Sequence, residues 1–283
     1  MDEWLRLIQD YPTVAFNYKN FNGSVNSPEA GFKFLVQCEP YIGMRENWDV
    51  AILRRYQTVV TWNRKFYTNY VNLLPSMRLV TGCLGCNAPE PLTELVPWDK
   101  KIHGVCFLNH LRSTGLPGDI YWLRNEALQN IGGDLTRHVW CTKKWGGEHY
   151  QGAVEAPYHH SHTNHLKKIS EYKFCLAFES SYHSFWSAGF ITERILNCFR
   201  AGTVPVYIGA WDIQDYIPVD LFLDFRKFWP FLGAPRYYPE FTKYLLEFPR
   251  SQYEDMVGRA YEWVKTCRIG SIPDLEAVLR SLL

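Results

Sequence analysis

The 283-residue chain reads as an α/β protein with mainly parallel sheets, and three observations predict this. Short apolar runs of strand type alternate with helical stretches along the whole length, the pattern of repeated βαβ units. Residues 172–209, YKFCLAFESSYHSFWSAGFITERILNCFRAGTVPVYIG, give strand, polar loop, helix and strand in unbroken order. The two strands of that unit are continuous apolar runs, as strands covered by helices on both faces must be.

In chain order, strands are expected at 32–38 (FKFLVQC), 58–62 (TVVTW) and 77–82 (MRLVTG). Residues 82–98 carry three prolines and two glycines and make the expected linker. It separates a first domain, 1–95, from a second, 96–283, both within ordinary domain sizes. Further strands are expected at 102–109, 138–141, 172–178, 204–208 and 221–225. Between the third and fourth of these, at 192–202, Thr192 is the expected N-cap of a helix with Glu193 and Arg194 in its first turn, ending at Gly202. Residues 251–267 and 273–283 have helical apolar spacing, and the last helix is expected to pack back on the first domain.

Composition excludes several classes. A net charge of +1 lacks the basic excess of a nucleic-acid binder. No apolar run reaches the roughly eighteen residues of a membrane span. The start, MDEWLRLIQDYPTVAF, is acidic and lacks the basic and apolar regions of a secretory leader. With its initiating Met it suggests a natively soluble, cytoplasmic protein. Cys38, Cys106, Cys175 and Cys198 fall inside apolar patterns and read as buried free thiols of a reducing compartment. The single CxxC, Cys83 to Cys86, has no second pair or spaced histidines to complete a zinc site. His159, His160, His162 and His165 sit beside Pro157 in a polar stretch, and no carboxylate or cysteine completes a metal set with them.

The chemistry is concentrated after the strand at 172–178. Open α/β sheets bind ligands at strand carboxyl ends, and a helix N-terminus there carrying an arginine suits nucleotide phosphates. At these residues the sequence becomes recognisable. YKFCLAFES…GFITERI…AGTVPVYIGA…IPVDLFLDF resembles the donor-site signature of the GDP-fucose-dependent α-1,3-fucosyltransferases, glycosyltransferase family 10. The usual form is YKF-x-L-x-FEN, then Y-V/I-TEK, then AG-T-VPV. Here Ser180 stands where the family has Asn, Phe190 where it has Tyr and Arg194 where it has Lys, and the intervening loop is about four residues longer.

The resemblance implies a GT-B architecture, two Rossmann-like domains facing a cleft, with a first domain that is short for the fold. It implies an inverting glycosyltransferase acting on a glycan hydroxyl, with GDP-fucose as donor. No Asp-x-Asp metal motif occurs in the sequence, so no metal cofactor is expected and the leaving diphosphate must be met by cations and helix N-termini. Arg194 is the first such cation. Arg124, in YWLRNEALQNIGG, resembles the family's second phosphate-binding arginine, with a surface i,i+4 pair as the other reading.

Glu39, closing a strand and followed by Pro40, resembles the family's general base, since NWDVAILRRY downstream resembles the family's following segment. Glu46 and Asp49 lie near enough in sequence to replace it. By the same resemblance Glu179, Ser180, Phe190, Thr192 and Glu193 form the donor site with Arg194, Glu193 touching the sugar or ribose and Glu179 orienting the site. Trp48, Trp62 and Trp211 are candidates for stacking on an acceptor sugar. The departures from the signature keep open a UDP-sugar donor such as UDP-xylose. An inactive carbohydrate-binding homologue is the rival of another class.

Overall fold

The structure, a computed structural model, describes residues 3–19, 23–74, 76–82, 90–108, 113–140, 149–152, 162–228 and 237–282. The first part holds α1 (Glu3–Asp10), β1 (Val14–Phe16), β2 (Phe34–Val36), α2 (Val50–Leu53), β3 (Thr58–Thr61), α3 (Arg64–Tyr70) and β4 (Met77–Leu79). The second holds β5 (Ile102–Leu108), α4 (Tyr121–Asn130), β6 (Thr136–Trp140), β7 (Tyr150–Gly152), α5 (His162–Ser170), β8 (Tyr172–Phe178), α6 (Glu193–Arg200), β9 (Val204–Ile208) and β10 (Leu223–Asp224). Three helices follow: α7 (Tyr238–Leu246), α8 (Arg250–Lys265) and α9 (Ile272–Arg280).

Two all-parallel sheets result. The first runs β1-β2-β3-β4. A parallel sheet wound in one direction carries its right-handed crossovers on one face. Its core of Leu35, Val36, Val59 and Val60 takes in Leu53 of α2 and Phe66 of α3. It also takes in Leu7 of α1 and Leu275 and Leu279 of α9, so the two ends of the chain close over one core.

The second sheet runs β10-β9-β8-β5-β6-β7. Read from the other edge this is the 3-2-1-4-5-6 order of a doubly wound nucleotide-binding sheet. Its central strands alternate residue by residue between two cores from Val105 to Leu108 and from Phe174 to Phe178. Val105, Phe107, Phe174, Leu176 and Val206 pack with α4 and α7 on one face. Cys106, Cys175, Ala177 and Tyr207 pack with α5, α6 and α8 on the other. Every residue of β8 and β9 is buried, as their unbroken apolar runs require. The chain reverses direction of winding between β5 and β8, and that is where ligands bind in such sheets.

The structure adds to and corrects the sequence reading. β1 and β7 were not expected: three residues are too few to show a period of two. The strand expected at 221–225 shrinks to two residues, with Phe225 already in a 3₁₀ turn. Thr192 caps α6 as expected, its side chain accepting from Arg194 N. Cys106, Cys175 and Cys198 are buried free thiols, whereas Cys38 is half-buried. Cys83, Cys86, His159 and His160 lie outside the described residues, as does much of the expected linker. No helix among the described residues is long and apolar enough to cross a membrane.

Leu275→Ala tests the closure of the first core by α9. It is expected to cost about 2–5 kcal/mol in urea denaturation, the usual loss for a fully buried leucine; an unchanged midpoint would contradict that packing.

Candidate active site

The site starts from a buried charge. Glu179 follows β8 directly, is 0% exposed, and is tied to the end of β9 by its N–H to Ile208 O at 2.9 Å. Its carboxylate is satisfied by the head of α6. Thr192 N–H donates to Oε1 at 2.9 Å, Thr192 Oγ1 lies 2.9 Å from both carboxylate oxygens, and Arg194 Nη1 donates to Oε2 at 2.8 Å. Burial raises the Glu179 pKa above the ordinary carboxylate value, while Arg194 and the Thr192 donors pull it back. Gly209 makes room for it: a Cβ there would stand 2.2 Å from Glu179 Cγ.

Arg194 therefore turns back onto Glu179 and Thr192 Oγ1, the latter at 2.7 Å. It keeps 20% of its side chain exposed, and Glu193 Oε1 stands 4.0 Å from it. Arg124 lies deeper, at 1% exposure. Its Nη2 donates to Phe178 O at 2.9 Å, and its guanidinium lies 4.6 Å from the Tyr121 ring centre and 5.9 Å from that of Phe107. This burial rules out the surface-pair reading of Arg124. Ser180 is buried, and its carbonyl accepts from Ile120 N at 3.1 Å just ahead of α4. The loops after β5 and β8 are thus joined at the switch point.

The longer loop after β8 reaches the first sheet. His183 Nδ1 accepts from the N–H groups of Phe185 and Trp186, at 3.0 and 3.3 Å, and burial lowers the His183 pKa in keeping with a neutral ring. The loop then docks. Asn63, which caps α3 through Oδ1, donates Nδ2 to Phe185 O at 2.8 Å. Trp186 stacks on Tyr41 with ring centres 4.4 Å apart, and Phe190 meets Trp62 at 5.3 Å. Gly189, at φ 77°, is required here, because a Cβ would lie 2.8 Å from Trp62 O. Tyr41, Trp62 and Asn63 all follow strand ends of the first sheet, so the carboxyl ends of the two sheets face one another across this loop.

Glu39 belongs to the same end of the first sheet, two residues before Tyr41. Its carbonyl accepts from Trp48 Nε1 at 3.3 Å, and its carboxylate lies beside Gly43, where a Cβ would stand 2.8 Å from Oε2. The two carboxylates considered as substitutes are occupied elsewhere: Glu46 pairs with Lys19, and Asp49 caps α2 through Ala51 N. Trp48 and Trp62 are corrected to core residues, at 4% and 0% exposure. Their rings fill the space under the docked loop and offer no face to a sugar. Trp211 is exposed, packed on Tyr182 at 5.2 Å.

Phe190 is likewise buried in the first core rather than presented to a donor. Sequence reading missed Arg226, after β10 at the same edge. It is clamped by Asp224 and donates to Trp211 O at 3.0 Å. A basic residue just past a strand carboxyl end is the signal that was there to find. His165 is half-buried, and no cluster of three potential metal ligands occurs among the described residues.

Comparison with known proteins agrees with this geometry. A family profile described as glycosyltransferase family 10 (fucosyltransferase), C-terminal part, matches residues 133–274. The 4-galactosyl-N-acetylglucosaminide 3-alpha-L-fucosyltransferase 9 of Mus musculus is 37% identical over 90 residues, which is 31% of this chain and 22% of that protein. The match thus spans about a fifth of the length of this curated relative.

Among solved structures, an alpha-glucosyltransferase in complex with UDP-glucose and DNA containing an abasic site superposes with TM-score 0.57 at 10% identity, over 88% of this chain and 73% of that one. WaaG, a glycosyltransferase involved in lipopolysaccharide biosynthesis, superposes with TM-score 0.53 at 10% identity, over 97% and 80%. These likenesses show the fold, two Rossmann-like halves around a cleft in the GT-B arrangement.

Arg194→Ala strands the Glu179 charge in the interior, and a loss of about 3 kcal/mol is expected at neutral pH. A carboxyl whose folded pKa is raised is most stabilising below its unfolded value and loses that stability as pH rises through the folded value. The deficit against wild type should therefore be smallest below 4.5, the ordinary value, and grow with pH. Urea midpoints across pH read it; a deficit that does not change with pH would contradict the pairing.

Proposed function

The chain belongs to glycosyltransferase family 10, the fucosyltransferases, and from that premise we propose that it moves L-fucose from GDP-fucose to a glycan hydroxyl with inversion. One observation carries the reading: the signature residues Glu179, Thr192, Glu193 and Arg194 gather at the switch point of a doubly wound sheet. The strand end bearing Glu39 faces them across the docked loop.

The chemistry follows from those places. The Glu39 carboxylate accepts the proton of the acceptor hydroxyl as its oxygen attacks the anomeric carbon. The bond from that carbon to the diphosphate breaks on the opposite side, through an oxocarbenium-like state. Arg194 and the first-turn amides of α6 take up the charge developing on the diphosphate. Arg124, sealed beneath the crevice, adds its charge at a distance and holds the end of β8 in place. Glu193, on the solvent side of the helix head, contacts the donor sugar or ribose.

Glu179 acts only through Thr192 and Arg194. With protein cations meeting the diphosphate and no Asp-x-Asp in the sequence, transfer needs no metal in this reading. The name of the mouse relative supplies the first acceptor to try, a 4-galactosyl-N-acetylglucosaminide. Ser180 and the buried Phe190 favour a second reading, a UDP-sugar donor such as UDP-xylose, because neither supplies the polar group the family places there.

Glu39→Gln tests the chemical assignment. Turnover should fall by about 10²–10⁴-fold, the size of a lost general base, while GDP affinity stays at the wild-type value. Turnover within about twofold of wild type would remove Glu39 from the mechanism.

A further inference from the structure

The segment bearing Glu39 is held by a device outside the sheet ladder. Asn17, just past β1, has φ 72°, the only positive φ of a non-glycine among the described residues. The left-handed region is costly for a residue with a Cβ, and asparagine is among the few that tolerate it. Glycine would serve the backbone better, so the side chain must be what the position needs. Strain of this kind persists only where the surroundings enforce it, and it clusters at functional sites.

The Asn17 carboxamide oxygen receives three donors: Cys38 N at 2.9 Å, Glu39 N at 3.0 Å and Asn47 Nδ2 at 2.6 Å. Two successive backbone N–H groups converging on one oxygen form a concave nest, and here the protein fills it with its own side chain. The rest of Asn17 is fixed as well. Its N–H donates to Val36 O at 2.9 Å and its carbonyl accepts from Asn26 Nδ2 at 3.0 Å. Asn47 in turn accepts from Tyr18 N at 2.7 Å, and Gln37 Nε2 donates to Asn47 O. The network is buried, Asn17, Asn26, Gln37 and Asn47 alike.

The pairing of β1 with β2 ends at Phe16 and Val36. Beyond that point, where Asn17 N–H bonds Val36 O, the Asn17 side chain continues the bonding past the end of β2, to Cys38 and Glu39, two and three residues further on. With Trp48 Nε1 on its carbonyl, Glu39 is gripped on both sides of its Cα while its carboxylate stays at the cleft end of the sheet.

We propose that Asn17 is a positioning residue for the reaction, its carboxamide oxygen bracketing the Cys38 and Glu39 amides so that the Glu39 carboxylate is held at the acceptor hydroxyl. The inference rests on the assignment of Glu39 as base. A misplacement of about 1 Å at a reacting group costs roughly 100-fold in rate, which sets the scale expected.

The test uses two variants that both tolerate a positive φ. Asn17→Gly deletes the bracket and relieves the backbone; Asn17→Asp keeps an acceptor oxygen at the same reach. Protein is counted by calorimetric GDP sites, so misfolded material does not enter kcat. Asn17→Gly should lose about 100-fold in kcat with donor KM and GDP affinity unchanged, and should lose amide-exchange protection at residues 38 and 39. Asn17→Asp should restore most of the turnover and the protection.

If Asn17→Gly lowers the melting temperature or the exchange protection yet keeps kcat per GDP site, the residue is structural only and the inference falls. An Asn17→Asp variant that binds GDP but recovers no turnover overturns it too. Full turnover in Glu39→Gln would instead sink the base assignment beneath it. Loss of turnover there alongside an unimpaired Asn17→Gly rejects the positioning role alone.

Discussion

A carboxylate with no exposed surface at the end of β8 sets the geometry of this half of the molecule. Glu179 collects an amide and a hydroxyl from Thr192 and a guanidinium from Arg194, and an isolated charge in that position would be far too costly to bury. The arrangement dictates where α6 begins, because its N-cap must stand against the carboxylate. It dictates that the next strand end be glycine at position 209. It also makes Arg194 a residue with two partners to serve, the buried acid and, in the proposed reaction, the leaving diphosphate. An anion arriving at the head of α6 meets a cation already oriented, so little reorganisation is needed at the moment charge develops.

The loop leaving Glu179 does the second structural task. Its neutral His183, its buried Ser181–Ser187 contact at 2.7 Å and its left-handed Gly189 give it one shape, and that shape ends in an aromatic plug. Phe185, Trp186 and Phe190 insert among Tyr41, Trp48, Trp62 and Phe66 of the first half. The second half therefore supplies part of the first half's own core. Arg64, on α3, adds an ion pair to Asp215 at 3.4 Å and lies over the Tyr216 ring at 5.1 Å. With aromatic area buried on both sides, the two halves are held at a fixed separation by the loop that joins β8 to α6.

Much of this was legible in the sequence where the physics is local. The apolar runs of β8 and β9, the cap at Thr192 and the helix following it depend on neighbours in the chain, and each was found where expected. Three-residue strands such as β1 leave no periodic trace, and α4 shows little amphipathicity in its sequence because it buries Arg124 on the side that should be apolar. The burial of Arg124, Trp48 and Trp62 depends on partners brought together by the fold: Phe178 O for the first, the docked loop for the others. Glu39 is a candidate base through Pro40 and the text after it, whereas the asparagine that binds its N–H lies 22 residues earlier and only the pairing of β1 with β2 brings the two together.

The proposed reaction requires a nucleotide-diphosphate site at the β5–β8 switch point that prefers guanine and works without metal. Calorimetric titration of GDP and of UDP into the purified chain in EDTA tests this most directly. The account predicts a saturable GDP isotherm with one site per chain, weaker UDP binding, and loss of GDP affinity in Arg194→Ala. Preferential binding of UDP would contradict the donor assignment, and binding of neither nucleotide without added metal would contradict the account of how the diphosphate is held.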